Sequence, residues 1–386
     1  MSSSGQYSLE DSFDDIRIGE AASQDGAADT QWELLDTPGG KEPADSKSSR
    51  NTAGPKSSKV ESSDDKGAGQ EPMVLPEHYR TMLGGRRYHA KWCRADYLIP
   101  NDAAACNFMD QITRCIWSLI SSDRVDLPYS NMTKPNPMMA GVKEPSLVID
   151  PTEVADRIIS LLSNFAKANP RCQVVGIDIS PIQHHDKPRN LVFQMGDITD
   201  RGGWPFQQDS VDFVHMQCLK ESIPNWDHAF RQVERVLKPG GWIESVEHSS
   251  TIFCDHPEFH SICPELSKLG GRLREAGRVT SRSMMLAEWP RISEKLARNG
   301  LVNISVNKVS CPLVPWSGQK TEATSFIRSA IATDLEGYML GLLEKTGWSP
   351  LNIHQNATMI RDELTRALPP VEPFITFQFM VGRKSQ

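Results

Sequence analysis

Five short apolar runs, SLVID (146–150), QVVGID (173–178), NLVFQMGD (190–197), VDFVHM (211–216) and GWIESVEH (241–248), succeed one another at intervals too long for tight hairpins. Parallel neighbours in a sheet cannot be joined by a two-residue turn, so each such pair needs a crossover, usually an amphipathic helix. Helical periodicity fills the intervals at 151–168 and 226–238. In the first, Val154, Ile158, Leu161, Leu162 and Phe165 share one face. The second is stopped by KPGG, where Pro239 and Gly240 read as a helix stop and turn, not as a phosphate cradle. Further along, the pattern predicts a helix over 284–300, a strand over 302–310, helical segments near 323–346 and 355–367, and a last apolar run at 374–383. The fold class is α/β, with a mostly parallel sheet and helices on both faces.

The region before this pattern divides in two. Residues 1–72 are rich in Ser, Gly, Asp and Lys with few large apolar side chains, and such a segment buries too little surface to offset its ordering entropy. It reads as a disordered tail in which QWELL (31–35) is either a short binding motif or plain linker. Residues 73–145 read as an N-terminal helical cap built around 105–121, where Phe108, Ile112, Ile116 and Leu119 recur at helical spacing. Residues 146–386 form the main domain, with a helical insertion at 313–370.

The totals narrow the function. A net charge of −7 provides no overall basic field for nucleic acid or an anionic membrane, so neither partner is expected. No run of about 18 apolar residues occurs, and the N-terminus lacks a signal peptide's basic start and apolar middle, which points to the cytosol or nucleus. Eight cysteines without a C-x-x-C pair read as free thiols. Cys254, His256, His260 and Cys263 are close together, but C-x-H-x3-H-x2-C matches no metal-ligand spacing, and no metal is expected. His184 and His185 read as an exposed loop, and no G-x-S-x-G elbow or P-loop is present.

Asp178 closes the run QVVGID. An acidic residue there can accept hydrogen bonds from the hydroxyls of a nucleotide ribose, or it can cap the turn that follows. The series QVVGIDISPIQ, PRNLVFQMGDITD, WPFQQDSVDFVHMQ and HAFRQVERVLKPGGWIESVEH resembles the second to fifth strands of class I S-adenosylmethionine-dependent methyltransferases. With GRRYH at 85–89, DISPIQ at 178–183 and the run from Val214 to Glu244, it is most similar to the fungal LaeA-like methyltransferases. The resemblance covers 77–250 well and the rest to 383 loosely. It implies a Rossmann-like sandwich of about seven strands, the last antiparallel, in an enzyme of secondary metabolism that takes S-adenosyl-L-methionine as cofactor. The acceptor would be a small molecule, and protein partners would dock through the tail. The alternatives it leaves open are an accessory protein with impaired catalysis and a nuclear regulator. By position, Asp150 matches the acidic end of the first strand, Asp178 would hold the ribose, and Ile179 would pack on the adenine. Asp197 and Ile198 would lie at the adenine amino edge, while Met216 and Gln217 would border the methyl donor and acceptor. For Ile179 and Met216, ordinary core packing is the equal alternative. His248 or His256, after the fifth strand, could serve as general base.

One departure stands out. In the family the resemblance points to, a run with several glycines follows the first strand and wraps the methionine half of the cofactor. Here PTEVAD follows Asp150, and no glycine occurs from Val142 to Val175. The segment reads as a helix start, with Asp150 as N-cap, Pro151 at the first position and Glu153 completing a capping pair. Side chains then stand where the ligand would need bare backbone, and Pro151 removes one N–H donor, so cofactor affinity is expected to fall.

Overall fold

The computed structural model describes residues 33–34, 79–81, 85–89, 97–121, 142, 144–151, 156–180, 187–289, 291–315, 321–367 and 370–386. The disordered reading of residues 1–72 lies outside these, apart from strand β1 (Glu33–Leu34) inside QWELL. The N-terminal unit is not wholly helical: β2 (Tyr79–Thr81) and β3 (Arg87–His89) form an antiparallel ribbon ahead of helix α1 (Ala103–Ser121). Gly85 before β3 has φ +75°, a conformation a side chain resists. The main domain runs β4 (Leu147–Asp150), α2 (Asp156–Ala168), β5 (Gln173–Asp178), β6 (Leu191–Met195), β7 (Val211–Gln217), α3 (Trp226–Val236) and β8 (Leu237–His248). There follow α4 (Phe259–Ile262), α5 (Pro264–Thr280), α6 (Ile292–Arg298), β9 (Leu301–Pro312), α7 (Glu322–Glu344), α8 (Pro350–Arg366) and β10 (Phe374–Lys384).

The sheet order is β1-β6-β5-β4-β7-β8-β10-β9. The five strands from β6 to β8 are parallel, β10 is antiparallel to both its neighbours, and β1 adds an antiparallel edge to β6. Two apolar cores cover the two faces. Strand alternation sends Val148 and Phe213 to the core with α1, α2, α5, α7 and α8, and sends Ile149, Val214 and Met216 to the core with α3 and α6. Helix α3 shows the local logic. Asn225 accepts the His228 N–H at its start, and Trp226, Ala229, Phe230, Val233 and Val236 form a fully buried stripe.

Several boundaries depart from expectation. KPGG belongs to β8 rather than to a turn, because β7 pairs with Leu237 across a register shift before Trp242. The helix expected over 284–300 is a one-turn 3-10 helix at Leu286–Glu288 followed by α6, with Pro290 between them. Helix α5 carries Gly270, Gly271 and Gly277, which weaken its helical signature. Gly270 is required there, since a Cβ would lie 2.7 Å from the Thr251 backbone. Its first turn is capped by a residue distant in sequence: the buried Glu363 of α8 accepts the N–H groups of Glu265 and Leu266.

Candidate functional site

Between β4 and β7 the strand order reverses: the chain first runs outward through β5 and β6, then returns. Loops leaving the carboxyl ends of these two strands diverge, and the crevice between them is where open α/β sheets take ligands. A cleft of about 40 Å³ lies there, walled by Pro151 after β4, Asp178 and Ile179 at the end of β5, Asp197 and Ile198 after β6, and Leu219 after β7. Tyr97, from the segment before α1, completes the wall. Small-molecule sites usually offer roughly 300–1,000 Å³. The described cleft is thus smaller than a typical small-molecule site.

The two carboxylates of the cleft differ. Asp178 is buried, and its Oδ1 accepts the Ser180 N–H at 2.8 Å, so the turn cap and the place at the cleft are held by the same side chain. Asp197 accepts the N–H and hydroxyl of Thr199 at 2.8 and 2.6 Å through Oδ1, while its buried Oδ2 meets no donor. An unmet buried acceptor costs about 1–3 kcal/mol, which a ligand N–H in the cleft would recover. The exocyclic amino group of an adenine is such a donor, and Asp178 one strand away is placed for hydroxyls, so the residues present fit an adenosine.

The other expected site residues are distributed differently. Ile179 lines the cleft and also packs on the first core. Met216 is fully buried in the second core and is not part of the cleft wall. Gln217 donates to Thr113 of α1 at 2.9 Å in a buried bond. Asp150 Oδ2 lies 3.0 Å from His215 Nδ1 on β7, with both side chains buried, and the helix start it is expected to cap lies outside the described residues. Glu153, the other half of that capping pair, lies outside the described residues, as do His184 and His185. Cys254, His256, His260 and Cys263 form no ligand cluster among the described residues.

His248 belongs to a buried ionic cluster that the sequence did not announce. Lys220 Nζ, without solvent contact, lies 2.5 Å from Glu221 Oε1, 3.0 Å from His248 Nε2 and 3.3 Å from the Tyr338 hydroxyl of α7. Tyr338 in turn donates to Glu221 at 2.5 Å. Glu247 accepts the N–H groups of Leu219 and Lys220 at 2.8 and 3.3 Å, holding the loop after β7 where Cys218 adopts φ +53°. Burial, reinforced by the Lys220 ammonium, pushes the His248 pKa down to about 4, so the imidazole is neutral at pH 7. Burial and the neighbouring Glu221 push Glu247 up to about 8. For Glu221 burial also raises the pKa, but Lys220 and His248 outweigh it and hold the group below the ordinary range. Lys220 to Glu247 lie within one crossover of the sheet, but Tyr338 is more than a hundred residues away, so no motif spacing could reveal their meeting.

The profile of a methyltransferase domain matches residues 159–244, a span that begins beyond the glycine-free turn. The secondary metabolism regulator laeA of Monascus pilosus is 27% identical over 320 residues, covering 80% of this chain and 79% of that protein. Methyltransferase pytC of Aspergillus terreus is 24% identical over 289 residues, 73% of this chain and 82% of its own. Among solved structures, a phosphoethanolamine N-methyltransferase 2 of Haemonchus contortus, in complex with phosphomonomethylethanolamine and S-adenosylhomocysteine, aligns at TM-score 0.38 and 18% identity, over 64% of this chain and 50% of that one. Among the described residues no helix is long and apolar enough to cross a membrane. Over residues 159–244 the chain is thus similar to methyltransferase domains, and over most of its length to laeA-type regulators of secondary metabolism and a fungal methyltransferase, with a sheet whose last strand inserts antiparallel beside the fifth parallel one.

Proposed function

We propose that this protein binds S-adenosylmethionine in the cleft at the ends of β4 to β7 and transfers its methyl group to a small-molecule acceptor of fungal secondary metabolism. The observation that carries the proposal is the pairing, in one cleft, of Asp178 with the unmet Oδ2 of Asp197. Asp178 receives the ribose hydroxyls, Asp197 the adenine amino group, and Ile179 and Ile198 the faces of the ring. The cofactor, when bound, supplies an electrophilic methyl group on a sulfonium. What the chain must then do is align the acceptor and exclude water. Gln217, fixed by Thr113, and His248, neutral within its cluster, stand at the ends of β7 and β8 on the acceptor side. His248 already receives Lys220, so it acts on an acceptor proton only after that contact loosens.

A second reading is favoured by one feature. The turn after β4 has no glycine, and Asp150 is held by His215, so the methionine end of the cofactor is poorly gripped. On that reading the protein is an accessory or nuclear regulator that keeps the fold and works through partners at residues 1–72. Calorimetry of the full chain with S-adenosylmethionine and S-adenosylhomocysteine separates the two. Binding at micromolar to submillimolar concentration that falls at least tenfold in Asp178→Ala supports the enzyme, and no binding of either ligand at millimolar concentration removes it. Deleting residues 1–72 without loss of partner association or pathway output removes the regulator.

A further inference from the structure

We infer that Tyr97 is the surface on which the adenine ring stacks, so that the N-terminal unit completes a cofactor site that the methyltransferase domain alone leaves open; this rests on the cofactor reading above. Among the described residues the cleft wall is otherwise aliphatic, small or acidic, and Tyr97 supplies its aromatic ring. Adenine is a flat, polarisable ring, and an aromatic face stacks on it more favourably than branched aliphatic groups do. Tyr97 lies well before residue 159, where the matched domain begins. Its ring is nearly buried and meets His89 of β3 edge-on at 5.9 Å between centroids.

The segment that carries Tyr97 is fixed by three contacts. The Leu98 carbonyl lies against Gly341 of α7, at a place where a Cβ would overlap it. Asn101 Nδ2 donates to Ser180 Oγ at 2.8 Å, and Ser180 stands in the turn that Asp178 caps. The Asn101 N–H donates to the Arg87 carbonyl at 2.9 Å, and the Arg87 guanidinium donates to the Asn101 carbonyl at 2.6 Å. One end of the segment is thus tied to the ribose-side loop of β5 and the other to the helical insertion. A ring held in this way has a set height above the floor formed by the sheet ends, which stacking requires.

The test is calorimetric titration of S-adenosylhomocysteine into the full chain and its variants, with thermal unfolding recorded for each. Tyr97→Phe, which keeps the ring, should bind within threefold of the parent. Tyr97→Leu, which keeps apolar bulk without the flat face, should bind at least tenfold more weakly and lose the ultraviolet difference band that ring stacking produces. Gly341→Ala touches no cleft residue but displaces Leu98, and should weaken binding in the same direction. If the parent binds and Tyr97→Leu binds equally or more tightly, the stacking assignment is overturned while the cofactor reading stands. If the parent itself binds neither S-adenosylhomocysteine nor S-adenosylmethionine at millimolar concentration, the cofactor reading fails and the stacking assignment with it.

Discussion

His215 on β7 and Asp150 on β4 face each other across adjacent parallel strands, imidazole Nδ1 3.0 Å from carboxylate Oδ2, both sealed from solvent. Burial opposes a charge on the imidazole, but Asp150 and the nearby Glu244 outweigh it, and the His215 pKa lies above its ordinary value. The pair binds the first strand to the fourth at the point where the sheet reverses.

Removing one partner of that pair leaves a buried charge uncompensated, so His215→Ala should destabilise the fold by about 3–5 kcal/mol. Asp150→Asn in the same chain should recover part of the loss, because the remaining group no longer carries a full charge. Chemical denaturation of both single variants and the double variant measures the coupling. Additivity within about 0.5 kcal/mol would show that the two side chains do not interact.

Asp197→Asn keeps the size of the side chain and its contact with Thr199, but replaces one acceptor oxygen by a donor amide. Pointed at an adenine amino group, that amide meets another donor. Binding of S-adenosylhomocysteine should weaken about tenfold or more, roughly 1.4 kcal/mol, with little change in stability. Equal affinity in the variant and the parent would place the adenine elsewhere.

The buried cluster should leave a mark on the pH profile. Glu247 holds its proton in the folded chain up to about pH 8, against an ordinary value of 4.5, so the folded state binds more protons than the unfolded one between these limits. Its contribution is present in full below pH 4.5 and is lost as pH rises towards 8. His248 has the opposite sign: lowered from 6.5 to about 4, it adds stability as pH rises across that window. The two oppose each other between pH 4.5 and 6.5, and above 6.5 the Glu247 slope stands alone of the two, at up to about 1.4 kcal/mol per pH unit. Glu247→Gln should flatten the fall between pH 6.5 and 8, as read by unfolding at fixed ionic strength. A variant that tracks the parent across this window would show that Glu247 titrates normally.

Arg86 joins three elements: it donates to both oxygens of Asp102 at 2.6 and 2.7 Å and to both oxygens of Asp334 at 2.9 and 2.7 Å. Asp334 sits where α7 leaves helical geometry, at φ −157° and ψ 42°. Arg86→Ala exposes two carboxylates to each other and should cost about 2–4 kcal/mol. Arg86→Lys keeps the charge without the planar fork and should recover less than half of that. Melting temperatures of the two variants decide whether geometry or charge dominates: equal values would show that charge without the fork contributes nothing, whereas an Arg86→Lys variant that melts with the parent would favour charge alone.

The backbone plan was legible from residues. Apolar runs spaced by amphipathic segments allow few solutions other than a parallel sheet with crossovers, and the strands from β4 to β8 fall within a few residues of those runs. Asp178 and Asp197 could be placed at the rim for the same reason, because the end of a strand in this sheet is the end that faces a ligand. The contact of Asp150 with a buried imidazole on β7 was not legible, because it depends on how β4 and β7 pair rather than on any local pattern. Helix α5 escaped notice because its glycines lower helical propensity, while the close packing that requires Gly270 can be seen only when the helix lies on the Thr251 backbone.

Tyr97 and the Lys220 cluster belong wholly to the tertiary structure. Each is made by segments that sequence patterns treat as separate: the stretch before α1 against the turn after β5, and the loop after β7 against α7. Periodicity reports which face of an element is apolar, since burial of that face drives its formation. It carries no information on which distant polar groups will share a desolvated space. That depends on how the elements dock, and docking is what sets both the pKa values of the cluster and the walls of the cleft.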